Sequence, residues 1–162
     1  MVDSIDQAAR SALMSRIRGK NTRPELIVRK LVFAAGYRYR LHVRTLPGSP
    51  DLVFPGRKKV IFVHGCFWHR HNNCDRARMP KSRVEFWNDK LNGNKARDAR
   101  SYEALRQAGW QVHVVWECEL GDLVALEDNL RMFLGAPAGS VLPGVPRGGN
   151  PVSTVSSLYH CA

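Results

Sequence analysis

A chain of 162 residues with 25 lysines and arginines against 14 acidic residues carries a formal charge of +11 and a pI near 10.1. Its length suits one domain with a real core, and its 44% of hydrophobic residues fall in runs far too short to span a bilayer, which excludes a transmembrane helix. Counterion release makes nucleic acid the first partner to consider for so basic a surface. Met1-Val2-Asp3-Ser4 leads into polar sequence rather than a signal peptide. The expected compartment is therefore the cytosol, where the four cysteines read as thiolate ligands rather than disulfides.

Residues 4 to 20 space Ile5, Ala8, Leu13 and Ile17 among Arg10, Arg16, Arg18 and Lys20, the pattern of a short basic helix or arm. Thr22-Arg23-Pro24-Glu25 then combines a capping hydroxyl, a first-turn proline and a glutamate placed for a capping box. A helix is expected from Pro24 to Ala35, with Leu26, Ile27, Leu31 and Ala34 as its buried stripe and Gly36 as its stop. Tyr37, Tyr39, Leu41 and Val43 alternate with Arg38, Arg40, His42 and Arg44, which predicts a strand over 37–43 with one basic face. Leu46-Pro47-Gly48-Ser49-Pro50 breaks the chain before a short strand, Leu52 to Phe54, and Pro55-Gly56-Arg57 turns it into a third strand, Lys59 to His64. That strand is apolar on both faces, as in a sheet covered on two sides.

Lys81 to Gln107 reads as one or two helices interrupted at Asn92-Gly93-Asn94, followed by Gly109, a fourth strand over Gln111 to Trp116, and a helix over Asp122 to Leu134. The last 28 residues hold five glycines, four prolines and a single charge, Arg147, and are expected to be a disordered tail. The chain thus divides into an arm (1–22), one α/β domain (23–134) with a mixed central sheet flanked by helices, and a tail (135–162).

The segment from Asp51 to Cys74 is where the chemistry concentrates. One apolar strand delivers His64, His69 and His71, with Cys66 and Cys74, into a single loop that also carries Phe67-Trp68. Strand cores use Val, Ile and Phe, so imidazoles and thiols crowded at a strand exit point to a metal site, a catalytic site, or both. Cys66, His71, Cys74 and Cys118, spaced by five, three and forty-four residues, make a three-cysteine, one-histidine set suited to structural zinc. Cys161, in the tail, is the weaker alternative for the fourth position.

Asp51, His64 and His69 remain. Nucleases of the restriction-endonuclease type place an aspartate on one strand and Glu-x-Lys on the next. Here Phe62-Val63-His64 fills that slot, which leaves Asp51, the Val63 carbonyl and substrate phosphates to hold magnesium. His64 and His69 are suited to proton transfer or phosphate binding. On the strand, Val60, Phe62 and His64 share one face, and Ile61 and Val63 the other.

Together with Met14-Ser15-Arg16-Ile17, Lys20 to Glu25, Leu46 to Pro50 and Val115-Trp116-Glu117-Cys118, the Asp51–Cys74 run resembles the very short patch repair (Vsr) DNA mismatch endonucleases over roughly residues 10 to 120. The resemblance implies a restriction-endonuclease-like fold and a bacterial, nucleoid-associated enzyme that acts as a monomer on double-stranded DNA, with room for repair-protein partners. Its implied reaction is a nick in one strand 5′ to the thymine of a T:G mismatch left by 5-methylcytosine deamination. Carried over by position, Asp51 is the magnesium ligand, His69 the general base and His64 a second catalytic group, while Glu25 is an acidic residue near the site and Asp98 orients a histidine. Phe67, Trp68 and Trp87 match aromatics that wedge into the duplex, and Met14 approaches from the other groove, a sensible device because a mismatched step is cheaper to unstack. Trp87 suits ordinary core packing equally well. Two other readings remain: a restriction-type nuclease on fully paired sites, and a non-catalytic zinc-stapled DNA-binding module.

Overall fold

A computed structural model describes residues 20–137. Four strands form one mixed sheet in sequence order. β1 (Arg40–Leu41) pairs antiparallel with β2 (Leu52–Phe54), which pairs antiparallel with β3 (Lys59–His64), and β3 runs parallel to β4 (Gln111–Trp116) with His64 opposite Trp116. Three helices cover it: α1 (Arg23–Ala34), α2 (Val84–Gln107) and α3 (Leu123–Leu134). The expected basic helix over residues 4 to 20, Met14 included, and the tail beyond Pro137 lie outside the described residues.

Strand alternation sorts the core into two layers. Leu52, Phe54, Ile61 and Val115 point to one face, where Val28 and Val32 of α1 and Leu126, Leu130 and Leu134 of α3 close over them. Val53, Val60 and Phe62 point to the other, against Leu105 of α2. The expected burial of β3 on both faces is met. Leu130 is only 2% exposed, and its replacement by alanine removes three carbons from a packed layer. Leu130→Ala should lower unfolding free energy by about 2–5 kcal/mol, read as a shifted urea midpoint at unchanged slope. A loss well below that range would mean α3 does not close this layer.

The caps follow the sequence with one difference. The Thr22 side chain accepts from Glu25 N and Asp122 accepts from Ala125 N, as N-caps do. The Glu25 carboxylate, however, accepts from Asn21 N at 2.7 Å, one residue before the cap. At the far end of α3 the carbonyls of Phe133, Leu134, Gly135 and Ala136 accept from Lys59 Nζ, Arg57 and the Tyr37 hydroxyl at 2.5–2.8 Å. These donors satisfy the orphaned carbonyls of a helix terminus.

Three expectations fail. The buried stripe of α1 is not Leu26, Ile27, Leu31 and Ala34: Leu26 and Ala34 are exposed and Ile27 and Leu31 half-buried, because the helix turns Glu25, Val28 and Val32 inward. The strand over 37–43 shrinks to Arg40–Leu41, because Tyr37 is drawn into the core and His42 takes a left-handed backbone (φ 46°) that ends the extended run. The interruption at Asn92-Gly93-Asn94 is absent: α2 runs unbroken for 24 residues. Nothing lies within 4 Å of a Cβ placed on Gly93, so this glycine faces open space. Its propensity cost of about 1 kcal/mol is carried by the tertiary contacts of Trp87, Leu91 and Leu105, all buried on the same helix.

Candidate active site and metal centre

Antiparallel pairing sets the start of β2 beside the end of β3, so Asp51, just before β2, meets Val63. The Val63 N–H donates to Asp51 Oδ2 at 2.7 Å. His64 closes β3 on the side facing α2, where Asp98 and Tyr102 are one helical turn apart. The loop after β3 folds back through His69 N–H to Gly65 O at 3.2 Å, laying the His69 ring on that of His64 with centroids 3.6 Å apart and planes 9° from parallel. The result is a cleft of about 290 Å³ lined by His42, Asp51, Val63, His64, His69 and Asp98, with Lys20 and Arg97 also on its wall.

Each titratable group in the cleft has a definite partner. His69 Nδ1 lies 2.6 Å from Asp98 Oδ2, so the Nδ1–H donates to the carboxylate and leaves the Nε2 lone pair free. His64 Nε2 bonds the Tyr102 hydroxyl. Burial, and then the like charge His69 can carry, push the His64 ring down to about 3, so it is neutral beside its stacked neighbour at physiological pH. Burial pushes Asp51 up to about 6; the Val63 N–H opposes this and the nearby Glu25 charge reinforces it. A half-enclosed carboxyl next to a second carboxylate suits a hard cation, and with Val63 on the same wall the oxygen donors fit magnesium.

Glu25, only 2% exposed, forms an ion pair with Arg29 and lies 3.1 Å from His42 Nε2. Glu25, His42 and Asp51 thus gather on one side of the cleft, and His64, His69 and Asp98 on the other.

The four sequence-assigned zinc ligands also converge. One donor atom from each of Cys66, His71, Cys74 and Cys118 lies within 4.8 Å of the other three. His71 Nδ1 is 3.8 Å from Cys66 Sγ and 3.3 Å from Cys118 Sγ, close to the edges of about 3.5–3.8 Å that tetrahedral zinc with sulfur and nitrogen ligands requires. The parallel register brings Cys118, just past β4, to the end of the sheet where the β3 loop emerges. Trp116 backs the set by stacking on His71 at 4.2 Å. Burial pushes the Cys66 thiol up to about 12 and raises Cys118 as well. Without a cation both sulfurs therefore keep their protons, and a bound cation is what makes them thiolates. The donor set fits zinc. Cys161 lies outside the described residues.

Phe67 and Trp68 pack edge to face at 5.2 Å and both meet Trp87, with Phe86 on its far side. Phe67 and Trp68 are half-buried and Trp87 is 8% exposed, so Trp87 backs the cluster that the other two present. Lys90 sits above the Trp68, Phe86 and Trp87 rings at 5.5–5.7 Å. The asparagines read as a break instead hold the loop: Asn94 Nδ2 donates to Trp68 O at 3.0 Å, and Asn92 Oδ1 accepts from Arg70 at 2.7 Å.

Sequence reasoning missed Arg29, His42 and Tyr102. Tyr102 lies within the stretch expected to be helical, and its four-residue offset from Asp98 was the available signal. His42 read as part of a basic strand face, and nothing in the local pattern distinguishes it.

A family model described as DNA mismatch endonuclease Vsr matches residues 2–76. The type II nicking enzyme V.XorIIP of Xanthomonas oryzae pv. oryzae is 53% identical over 134 residues, covering 83% of this chain and 98% of that one. The type II nicking enzyme V.NmeAIP of Neisseria meningitidis is 40% identical over 134 residues, covering 83% and 95%. The DNA mismatch endonuclease Vsr of Escherichia coli is 40% identical over 129 residues, covering 80% and 82%.

Proposed function

Because the chain belongs to the Vsr family of DNA mismatch endonucleases, we propose that it hydrolyses one phosphodiester of duplex DNA, 5′ to the thymine of a T:G mismatch, in bacterial very short patch repair. The observation that carries this reading is the cleft in which Asp51, hydrogen-bonded to Val63 N, faces a histidine whose Nδ1 is held by Asp98. The names of the relatives agree with nicking, and the Escherichia coli one with mismatch.

In this reading His69 is the base. With its Nδ1–H donating to Asp98, Nε2 takes a proton from the attacking water. As the water oxygen bonds phosphorus, the bond to the 3′ oxygen breaks, and that oxygen gains a proton to leave a 3′ hydroxyl and a 5′ phosphate. Asp51 and the Val63 carbonyl would hold magnesium, which when bound stabilises charge on the phosphoryl and leaving oxygens. His64 stays neutral and stacked, giving the His69 imidazolium a polarisable neighbour rather than a second charge. The zinc set ties the loop that bears His69 and the Phe67-Trp68 pair to the end of the sheet. Phe67 and Trp68 enter beside the mismatch with Trp87 as buttress, while the arm with Met14 reaches the other groove. Among the described residues no helix is long and apolar enough to cross a membrane, and the working place we assign is the bacterial cytoplasm, at the nucleoid.

A short labelled duplex with one T:G pair, run beside its T:A twin with and without magnesium, tests the proposal. The expected result is a magnesium-dependent nick on the thymine strand alone, at least about 100-fold faster than on the paired twin, since an unstacked step costs several kcal/mol more in intact duplex. Equal rates on both duplexes would replace mismatch repair with a restriction-type reaction. Mismatch binding with no cut in any flanking context would leave a binding module.

A further inference from the structure

We propose that His42 is a positioning residue for Asp51: Arg29 fixes its tautomer, so that the ring turns its Nδ1–H toward the one Asp51 oxygen that Val63 does not hold. The proposal deepens the nuclease reading above and rests on it for the role of Asp51.

Arg29 Nη2 lies 2.7 Å from His42 Nε2. A guanidinium only donates, so Nε2 must present its lone pair there. Glu25 Oε1, 3.1 Å from the same nitrogen, is already engaged by Arg29. A proton on Nε2 would point at the Arg29 N–H. The neutral ring therefore carries its proton on Nδ1, and Nδ1 faces Asp51 Oδ1 at 3.9 Å on the cleft wall.

The support behind the ring is built. Arg29 also donates to Asn21 Oδ1 at 2.8 Å, and its own carbonyl accepts from the Tyr39 hydroxyl at 3.1 Å. The Glu25 carboxylate beneath it is buried and takes the Asn21 N–H. His42 holds a left-handed backbone (φ 46°), a conformation uncommon outside glycine, though histidine, asparagine and aspartate adopt it more readily than other residues. Such a residue persists where surrounding contacts over-determine it, and it here turns the ring inward. Asp51 is then addressed from two elements, Oδ2 by the Val63 N–H of β3 and Oδ1 by His42. Oδ2 is hydrogen-bonded and Oδ1 faces the Nδ1–H at 3.9 Å, so the carboxylate is oriented by charge and dipole before any cation or phosphate arrives, as a metal ligand is by the partners behind it.

Two variants keep the left-handed backbone. His42→Gly deletes the ring, and His42→Asn retains an amide donor near the place of Nδ1. Manganese binding is read by electron paramagnetic resonance without DNA, and single-turnover nicking is followed across DNA concentration, with thermal melts as a check on folding. For His42→Gly, manganese affinity and the maximal nicking rate should each fall about 10-fold or more, while the DNA concentration for half-maximal rate stays within about 2-fold. His42→Asn should recover most of both losses. Wild-type manganese affinity in His42→Gly, or an asparagine variant no better than glycine, would overturn the proposal. If the wild type fails to nick T:G duplex, the nuclease reading falls, and the manganese series still decides whether His42 orients Asp51.

Discussion

Asp51→Asn should reduce the nicking rate by about 1,000-fold or more, with zinc content and fold intact. Asparagine matches the aspartate in shape and keeps an oxygen to accept from Val63 N, so the loop before β2 has no reason to move. What it removes is a negative charge in a cleft whose other nearby carboxylate, Glu25, is already neutralised by Arg29. A cation then has no charged protein ligand at that position.

The same variant should stabilise the cation-free protein at neutral pH. Asp51 titrates near 6 in the fold against 3.8 as its ordinary value, so between these values the folded state holds a proton that the unfolded chain releases. Stability therefore falls as pH rises through that window, and above it the ionised carboxylate costs about 1–3 kcal/mol. Asp51→Asn in chelator should match the wild type below pH 4 and melt higher at pH 7.5. An enzyme as active as wild type would remove Asp51 from the reaction; a variant that melts lower at pH 7.5 would show that the charge helps hold the cleft.

Disruption of the four-ligand set should have the other large effect. The purified protein should contain one zinc per chain. Cys66→Ala or Cys118→Ser should abolish stoichiometric zinc, lower the melting temperature by more than about 10 °C, and expose residues 65–78 to proteolysis, in keeping with apparent zinc-site free energies of about 10–16 kcal/mol. The other ties of this loop, Asn94 to Trp68 O, Asn92 to Arg70, His69 to Asp98 and the aromatic pair on Trp87, all lead to α2, and the four-ligand set is what would bind it to Cys118 beyond β4. Cys66 is the one fully buried ligand, and among the described residues between Gly65 and Ala77 ordered backbone comes mainly from turns. Cys161→Ser should leave both zinc and melting temperature unchanged. Zinc retained by Cys118→Ser but lost from Cys161→Ser would transfer the fourth position to the tail, and a metal-free wild type with an unaltered melt in chelator would end the zinc assignment.

Much of this architecture could be read from one dimension. The apolar run Val60 to Val63 announced a strand buried on both faces, and Thr22-Arg23-Pro24-Glu25 announced the start of α1, because both patterns are local and act through neighbouring backbone. Likewise the thiol and imidazole spacing around His71 left few partners for Cys118. The errors arose where distant contacts override local preference. The alternation at 37–43 is genuine, but the Tyr37 hydroxyl reaches Gly135 across 98 residues and His42 turns left-handed, so only two residues pair. Gly93 has the propensity of a break, yet it sits on the outer side of a helix anchored by its apolar neighbours. Asp98 was placed through family resemblance, whereas Arg29, His42 and Tyr102 became visible once α1, the β1 loop and α2 were set around the sheet.

The parallel pairing of β3 with β4, His64 opposite Trp116, has a consequence for how the molecule is assembled. Cys66, His71 and Cys74 belong to one loop, but Cys118 joins them only when two strands about fifty positions apart have paired. Slippage by a single residue would turn β4 over and carry Cys118, two residues past its end, away from the other three donors. A zinc ion held by these four donors would thus proofread strand alignment. It would bind tightly only to chains whose sheet has closed in the one register that also sets His64 beside His69, so a zinc-loaded molecule would be one whose cleft has already been assembled correctly.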